Sequence, residues 1–275
     1  MTTTNAMDAE GIEAMFKEER KRYRKGMAGA GLALLLAGCQ GMGGWQAEDP
    51  LRTEPVVASL EEPNCAGDRC ATVEADYLRF PDAPALSRTL EQRLFSLASG
   101  LGEDPDVSRA EDLQAFADEI FAASRQGRRD VPGLPGYQAD LRAKVVSSQD
   151  AVVVVELDGY LFSGGAHGLP LTRYLVIDRE TQQPLTLETM LLPGQRPAYV
   201  AALQRAHRRW LRSAQASGLS RTQWPFVVSD NAAPLDSGLS VSYQVYDLAP
   251  YALGQPELTI PYEELDGVLK PRYLP

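Results

Sequence analysis

Histidine is nearly absent from this 275-residue chain, which has two, at positions 167 and 207. Two imidazoles cannot build a zinc site by themselves, and no His-x-x-x-His pattern occurs. A metal on His167 and His207 would need carboxylates such as Asp178 or Glu257, and groups to orient the rings. Lysine is also scarce: after residue 39 only Lys144 and Lys270 remain, and the formal net charge is −10. Nucleic-acid binding wants contiguous positive charge, so that class of partner is excluded. An acidic surface instead keeps a module soluble or complements a basic partner. No apolar run reaches the ~20 residues of a spanning helix. There are no internal repeats, and no low-complexity segment beyond residues 40–63, which are rich in Gly, Pro and Glu and read as a linker.

What is present begins with an export address. Lys17, Arg20, Lys21, Arg22, Arg24 and Lys25 precede the short apolar run "MAGAGLALLLAGC", residues 27 to 39. A basic flank, a short apolar core and small residues describe a secretory signal. Leu36-Ala37-Gly38-Cys39 resembles the lipobox of bacterial lipoproteins, in which the cysteine is lipidated and becomes the first mature residue. Residues 1–38 are then a signal peptide, and Cys39 carries diacylglycerol and a further acyl chain such as palmitate. Each buried methylene contributes about 0.8 kcal/mol, so two or three chains anchor a domain firmly. Gln40 follows the cysteine where Asp would retain the protein in the inner membrane. That pattern implies an outer-membrane, periplasm-facing location in a Gram-negative envelope. The alternative is a buried apolar helix, which the tether-like "GMGGWQAEDPLRTEPVV" after Cys39 disfavours. Asp8, Glu10, Glu13, Glu18 and Glu19 make the leader partly acidic and suggest a translation start at Met7 or Met15.

Cys65 and Cys70 lie close together in "PNCAGDRCATV". In an oxidising compartment such a pair predicts a disulfide, contributing about 2 kcal/mol through loop closure. Asp68 is the one nearby metal-ligating side chain, and four intervening residues do not make a redox Cys-x-x-Cys motif.

The remaining chain is long enough for a substantial core. "ATVEADYLRF" from residue 71 alternates as a strand, with Val73, Ala75 and Tyr77 on one face. Leu86, Leu90, Leu94 and Leu97 have helical spacing, and a second helix fits 109–124. Strands follow at 139–148 and 151–162, as a hairpin, then at 171–178. Next come a turn at 179–183, a short helical piece at 186–192 and the longest helix at 197–216. "GLSVSYQVYDLAPYALG" alternates again, and "PELTIPYEELDGVLK" reads as a strand and a helix opened by Pro261. Helices interleave with hairpins rather than crossover units, giving an α+β fold of antiparallel sheets packed with helices.

Three glycines in five residues surround His167 in "YLFSGGAHGLP", directly after the apolar run "AVVVVEL". A hydrolase would pair Ser163 with His167 and an acid such as Glu156, Asp158 or Asp178. However, the segment is not Gly-x-Ser-x-Gly at a strand-to-helix elbow. A phosphate cradle would lead into a helix and supply a lysine; this motif leads into a strand. Two readings remain open. Gly164, Gly165 and Gly168 give the backbone the freedom for a tight bend that His167 ties down, or Ser163 to Gly168 form a recognition loop. Tyr243, Tyr246, Tyr251, Tyr262 and Tyr273, with Trp210 and Trp224, are either half-buried packing or an aromatic surface for protein or sugar. Tyr246, Tyr251 and Tyr262 are the candidates for that surface.

Two blocks, "YLFSGGAHGLPLTRYLVIDRETQQPLTLETML" and "LSVSYQVYDLAPYALGQPELTIPYEEL", resemble segments of proteins carrying the DUF4163 and DUF3298 domains. Relatives there include the lysozyme-binding extracytoplasmic domain of the anti-sigma factor RsiV and the non-catalytic N-terminal region of the deacetylase PdaC. The resemblance spans residues 71–273 and implies an RsiV-like extracytoplasmic α+β fold. It divides the chain into a tether with the disulfide at 39–70, a DUF4163-like part at 71–165 and a DUF3298-like part at 166–275. No deacetylase metal pattern or sigma-binding segment is present. The expectation is a binding or sensing module for an envelope protein or glycan, with a basic lysozyme among the candidate partners. It has no cofactor, no metal and no catalytic residues. A peptidoglycan-active enzyme and a structural envelope subunit are the alternatives.

Overall fold

The computed structural model describes residues 51–100, 110–213, 216, 218–220 and 222–274. The signal segment, Cys39 and the first part of the tether lie outside the described residues. Asp49–Pro275 forms one compact unit.

Its centre is a six-stranded sheet in chain order β1 to β6: β1 (Glu54–Glu61), β2 (Thr72–Arg79), β3 (Gln138–Ser148), β4 (Val152–Phe162), β5 (Leu169–Asp178) and β6 (Pro184–Leu185). Neighbours pair antiparallel except β2 and β3, which are parallel, with Thr72 opposite Gln138. The fold class is α+β, but the expectation of purely antiparallel sheets and no crossover is corrected here. A parallel neighbour cannot be reached by a tight turn, and α1 (Pro84–Ala98) and α2 (Leu113–Asp130) make the crossover.

β4 explains why "AVVVVEL" is apolar without alternation. Val153, Val155 and Leu157 face the α1 and α2 layer, where Phe95 stacks on Phe116 at 5.1 Å. Val152 and Val154 face a second core on the opposite side of the sheet. A strand covered on both faces buries consecutive side chains. The second core is closed by α3 (Leu187–Met190), α4 (Arg196–Trp210) and a three-stranded antiparallel sheet of β7 (Ala232–Leu235), β8 (Gly238–Ser242) and β9 (Glu257–Ile260). The DUF3298-like stretch from 166 therefore contributes β5 and β6 to the same sheet that holds β1 to β4.

Four boundaries differ from expectation, each for a physical reason. Residues 54–61 are not linker but the edge strand β1, whose Val56, Ala58 and Leu60 are half-buried on alternate positions. The second helix starts later and ends further on than 109–124: Asp112 accepts the Ala115 N–H at 2.8 Å as N-cap. At its other end Arg128 is held by Glu62 at 2.7 Å. α4 stops at Trp210 instead of 216, with Arg212 and Ser213 bonded back three residues in a tight turn; α2 is the longest described helix. After Pro261 the chain makes a 3-10 turn, Tyr262–Glu264, and a second at Pro271–Tyr273, with no α-helix among the described residues there.

Candidate functional site

The loop from β4 to β5 turns on Gly164 and Gly165, whose φ values of +99° and +97° lie where L side chains are strained. Gly168 serves a different need. A Cβ there would sit 2.3 Å from the Tyr160 ring, so the ring packs directly against the backbone. Ser163 and His167 are exposed, while Gly168 is buried.

His167 is held on three sides. Its Nδ1 lies 3.1 Å from the Gly168 carbonyl and its Nε2 lies 3.2 Å from the Tyr246 hydroxyl. Its ring stacks on Tyr251 with centroids 3.8 Å apart and planes 19° apart. A neutral ring satisfies both contacts with Nδ1–H donating to Gly168 and Nε2 accepting from Tyr246. The Tyr251 hydroxyl donates to the same Gly168 carbonyl at 2.9 Å. Burial, followed by the neighbouring Tyr160 and Tyr246, raises the Tyr251 pKa, so it remains a phenol at neutral pH.

Tyr246 carries the clearest anomaly. It is 50% exposed and has φ +72°, a region that bulky side chains rarely occupy. It sits in a turn closed by Asp247 N–H to the Gln244 carbonyl and by Gln244 N–H to the Asp247 carboxylate at 2.8 Å. The Gln244 side chain fixes that turn to the sheet. Its Oε1 accepts the Thr172 N–H at 3.1 Å and its Nε2 donates to the Thr172 carbonyl at 2.8 Å. The Thr172 hydroxyl donates to Asp158 at 2.6 Å, and Gln255 donates to Gln244. Burial, aided by Glu156 and opposed by the Thr172 hydrogen bond, raises the Asp158 pKa. The result is a rigid aromatic shelf of Tyr246, His167 and Tyr251 at the open end of β4 and β5.

The structure thus brings together His167, Gly168, Tyr246 and Tyr251 and gives the other candidates different roles. Both His167 ring nitrogens meet Gly168 and Tyr246, and no described contact joins Ser163 to His167. Tyr262 donates to the Leu235 carbonyl at the end of β7, 2.7 Å away, and packs on the second core. His207 is buried on α4 between Trp210 and Phe226. Asp178 is held by Arg272 at 3.1 Å and caps the turn at Glu180 and Thr181. Among the described residues no group of three metal-ligating side chains gathers. Cys65 and Cys70 are joined as a disulfide with Cα atoms 5.4 Å apart. Sequence reasoning missed Gln244 and Asn231, whose amides bind β5, and the left-handed Tyr246; no local pattern signals any of them.

A family model described as "Protein of unknown function (DUF3298)" matches residues 188–263. The crystal structure of a DUF3298 family protein from Pseudomonas aeruginosa PAO1 is 32% identical with a TM-score of 0.69, covering 83% of this chain and 98% of that one. A DUF3298 member from Bacteroides fragilis NCTC 9343 is 17% identical with a TM-score of 0.60, covering 81% and 94%, and shares the fold. Curated proteins give no match. With a relative this similar over nearly its whole length, carrying the same fold, the chain belongs to the DUF3298 family.

Proposed function

We propose that this chain is a lipid-anchored binding or sensing module of the bacterial envelope, not an enzyme, and that the Tyr246, His167 and Tyr251 shelf is its recognition surface. The observation that carries this reading is Tyr246: a large, half-exposed ring on a strained backbone, braced by a histidine that is itself stacked and bonded. Strain held by surrounding structure concentrates at ligand clamps, and tyrosine supplies contact area with few rotors. His167 serves as a brace because both its nitrogens are engaged by groups other than Ser163. The anchor is the lipid on Cys39, placing the module on the periplasmic face of the outer membrane. The partner is an envelope protein or glycan, and a basic lysozyme complements the net charge of −10.

The test uses the Asp49–Pro275 unit against hen lysozyme by calorimetry at low and physiological salt, and against purified peptidoglycan sacculi by co-sedimentation. The wild type is expected to bind one of these, and Tyr246→Gly to weaken that binding by about 30-fold, as for a central tyrosine anchor. Absence of binding to both, or equal binding by the variant, refutes the reading. Mass spectrometry of the protein made in cells tests the anchor: an unmodified Cys39 thiol refutes it.

A further inference from the structure

A second surface, separate in its residues from the aromatic shelf, lies where the chain returns from α4 towards β7. Residues Trp224 to Val228 read Trp-Pro-Phe-Val-Val. Val227 is 43% exposed and Val228 39%, while Trp224 and Phe226 are half-buried and Pro225 is exposed. Other exposed large apolar residues, such as Val57 and Val131, occur singly along the chain, which is ordinary. Here they are consecutive.

The backbone beneath them is firmly held. The Val227 carbonyl accepts from the Tyr243 hydroxyl at 2.9 Å and the Ser229 carbonyl accepts from Tyr199 at 2.6 Å. Both tyrosines belong to the second core and are fully buried. The two valines are therefore exposed on a segment tied to the core at the Val227 and Ser229 carbonyls.

Positive charge lies alongside. A cleft of about 320 Å³ beside the segment is lined by Gln204, His207, Arg208, Leu211, Trp224 and Phe226. Arg205 and Arg209 are committed to Glu264, each at 2.6 Å, and Arg196 to Asp230 at 2.7 Å. Arg208 and Arg212 are exposed and form no ion pair with a described carboxylate. The helix C-terminus favours cations there, but that does not account for Arg208 sharing a cleft with Trp224 and Phe226, from which the exposed valines follow directly, in a chain of net charge −10. Tryptophan, phenylalanine and aliphatic groups flanked by arginine fit the boundary between headgroups and hydrocarbon.

We propose that Trp224 to Val228, with Arg208 and Arg212, form a membrane-docking surface that inserts its apolar side chains among anionic phospholipid headgroups. This surface acts independently of the aromatic shelf and of any acyl chain.

The experiment is vesicle co-sedimentation with the Asp49–Pro275 unit, which contains both cores and lacks Cys39. The crystal structure of the P. aeruginosa relative aligns over 83% of this chain and 98% of its own. Vesicles containing phosphatidylglycerol are compared with phosphatidylcholine alone. The unit is expected to bind the former, with a blue shift of Trp224 emission that disappears in Trp224→Phe. Val227→Asp with Val228→Asp should lower partitioning by about 10-fold or more. Arg208→Gln and Arg212→Gln should each lower it by about 5-fold on anionic vesicles alone. Unchanged thermal midpoints show that these surface variants fold. Failure to bind anionic vesicles, equal binding to both vesicle types, or unchanged partitioning of the valine variant overturns the proposal. So does loss of an envelope protein partner in that variant without any vesicle binding by the wild type, because the occupant is then a protein.

Discussion

Replacing Glu62 with alanine is expected to destabilise the protein by about 3 kcal/mol, the lower end of the range for breaking a buried ion pair. The Glu62 side chain is 3% exposed and Arg128 18%. Arg128 Nη2 donates to both carboxylate oxygens, at 2.7 and 2.8 Å, and the Ala71 N–H donates at 3.1 Å. Without the carboxylate, the guanidinium keeps the Arg69 carbonyl and the Ser124 hydroxyl, which is why the lower end applies. For a domain of this length, ~3 kcal/mol lowers Tm by roughly 6–12 °C, measurable by calorimetry or circular dichroism. Burial pushes the Glu62 carboxyl up, but the Arg128 and Ala71 hydrogen bonds and the charges of Arg128 and Arg125 outweigh it and hold the pKa below its usual 4.5. A depressed folded pKa contributes stability that is fully present above 4.5 and is lost as pH falls through the lower folded value. The gap between wild type and variant should therefore be widest near neutrality and close in acid. A double-mutant cycle with Arg128→Ala should give a coupling of about 1 kcal/mol or more. A loss below about 1 kcal/mol, or a gap independent of pH, refutes the assignment of this pair as what fastens the disulfide loop to α2.

Tyr246→Gly relieves a backbone cost of about 1–2 kcal/mol at φ +72° while removing one exposed hydrogen bond. Its Tm should stay level or rise even as binding at the shelf is lost; a clear fall in Tm contradicts the strain argument. Asp158→Asn should stabilise the protein at neutral pH. The raised folded pKa means that ionising Asp158 opposes folding, with the effect absent below the usual 3.8 and growing as pH rises through the folded value. A variant less stable at neutral pH than wild type refutes this. Asn231→Ala leaves the Tyr174 N–H without the acceptor now 2.8 Å away, at a cost of about 1–3 kcal/mol. Hydrogen exchange at the Tyr174 amide should accelerate.

Elements with a strong period were legible. Val73, Ala75 and Tyr77 mark β2, and Leu86, Leu90 and Leu94 mark the buried face of α1, because each buries a full face. β1 was not legible, since an edge strand half-buried on one face has weak alternation, and Glu54, Pro55 and Glu61 give it the composition of a linker. The polar last turns of α2 could not be read from apolar spacing either, because what stabilises them is Glu62, distant in sequence. His167 drew attention as a rare residue among glycines, and Tyr246 and Tyr251 as aromatics. Their assembly was hidden, because stacking between residues about eighty positions apart leaves no local pattern.

The same reasoning links the shelf to the architecture of the sheet. β5 pairs with β4 along its length but with β6 only at Val176 and Ile177, so its outer edge is open near Thr172 and Tyr174. An open edge is a template for unwanted strand pairing. Here two amide side chains take the place of the missing strand. Asn231 accepts from Tyr174 N–H and donates to the Thr172 carbonyl, while Gln244 both accepts from and donates to Thr172. An amide side chain presents the same donor and acceptor as a peptide group, so asparagine and glutamine can close a strand edge without forming a strand. Gln244 is also the residue that opens the turn carrying Tyr246. Closing the edge of β5 and setting the angle of Tyr246 are thus one feature of the chain. Any change that loosens the clamp at Thr172 must also release the ring that His167 braces.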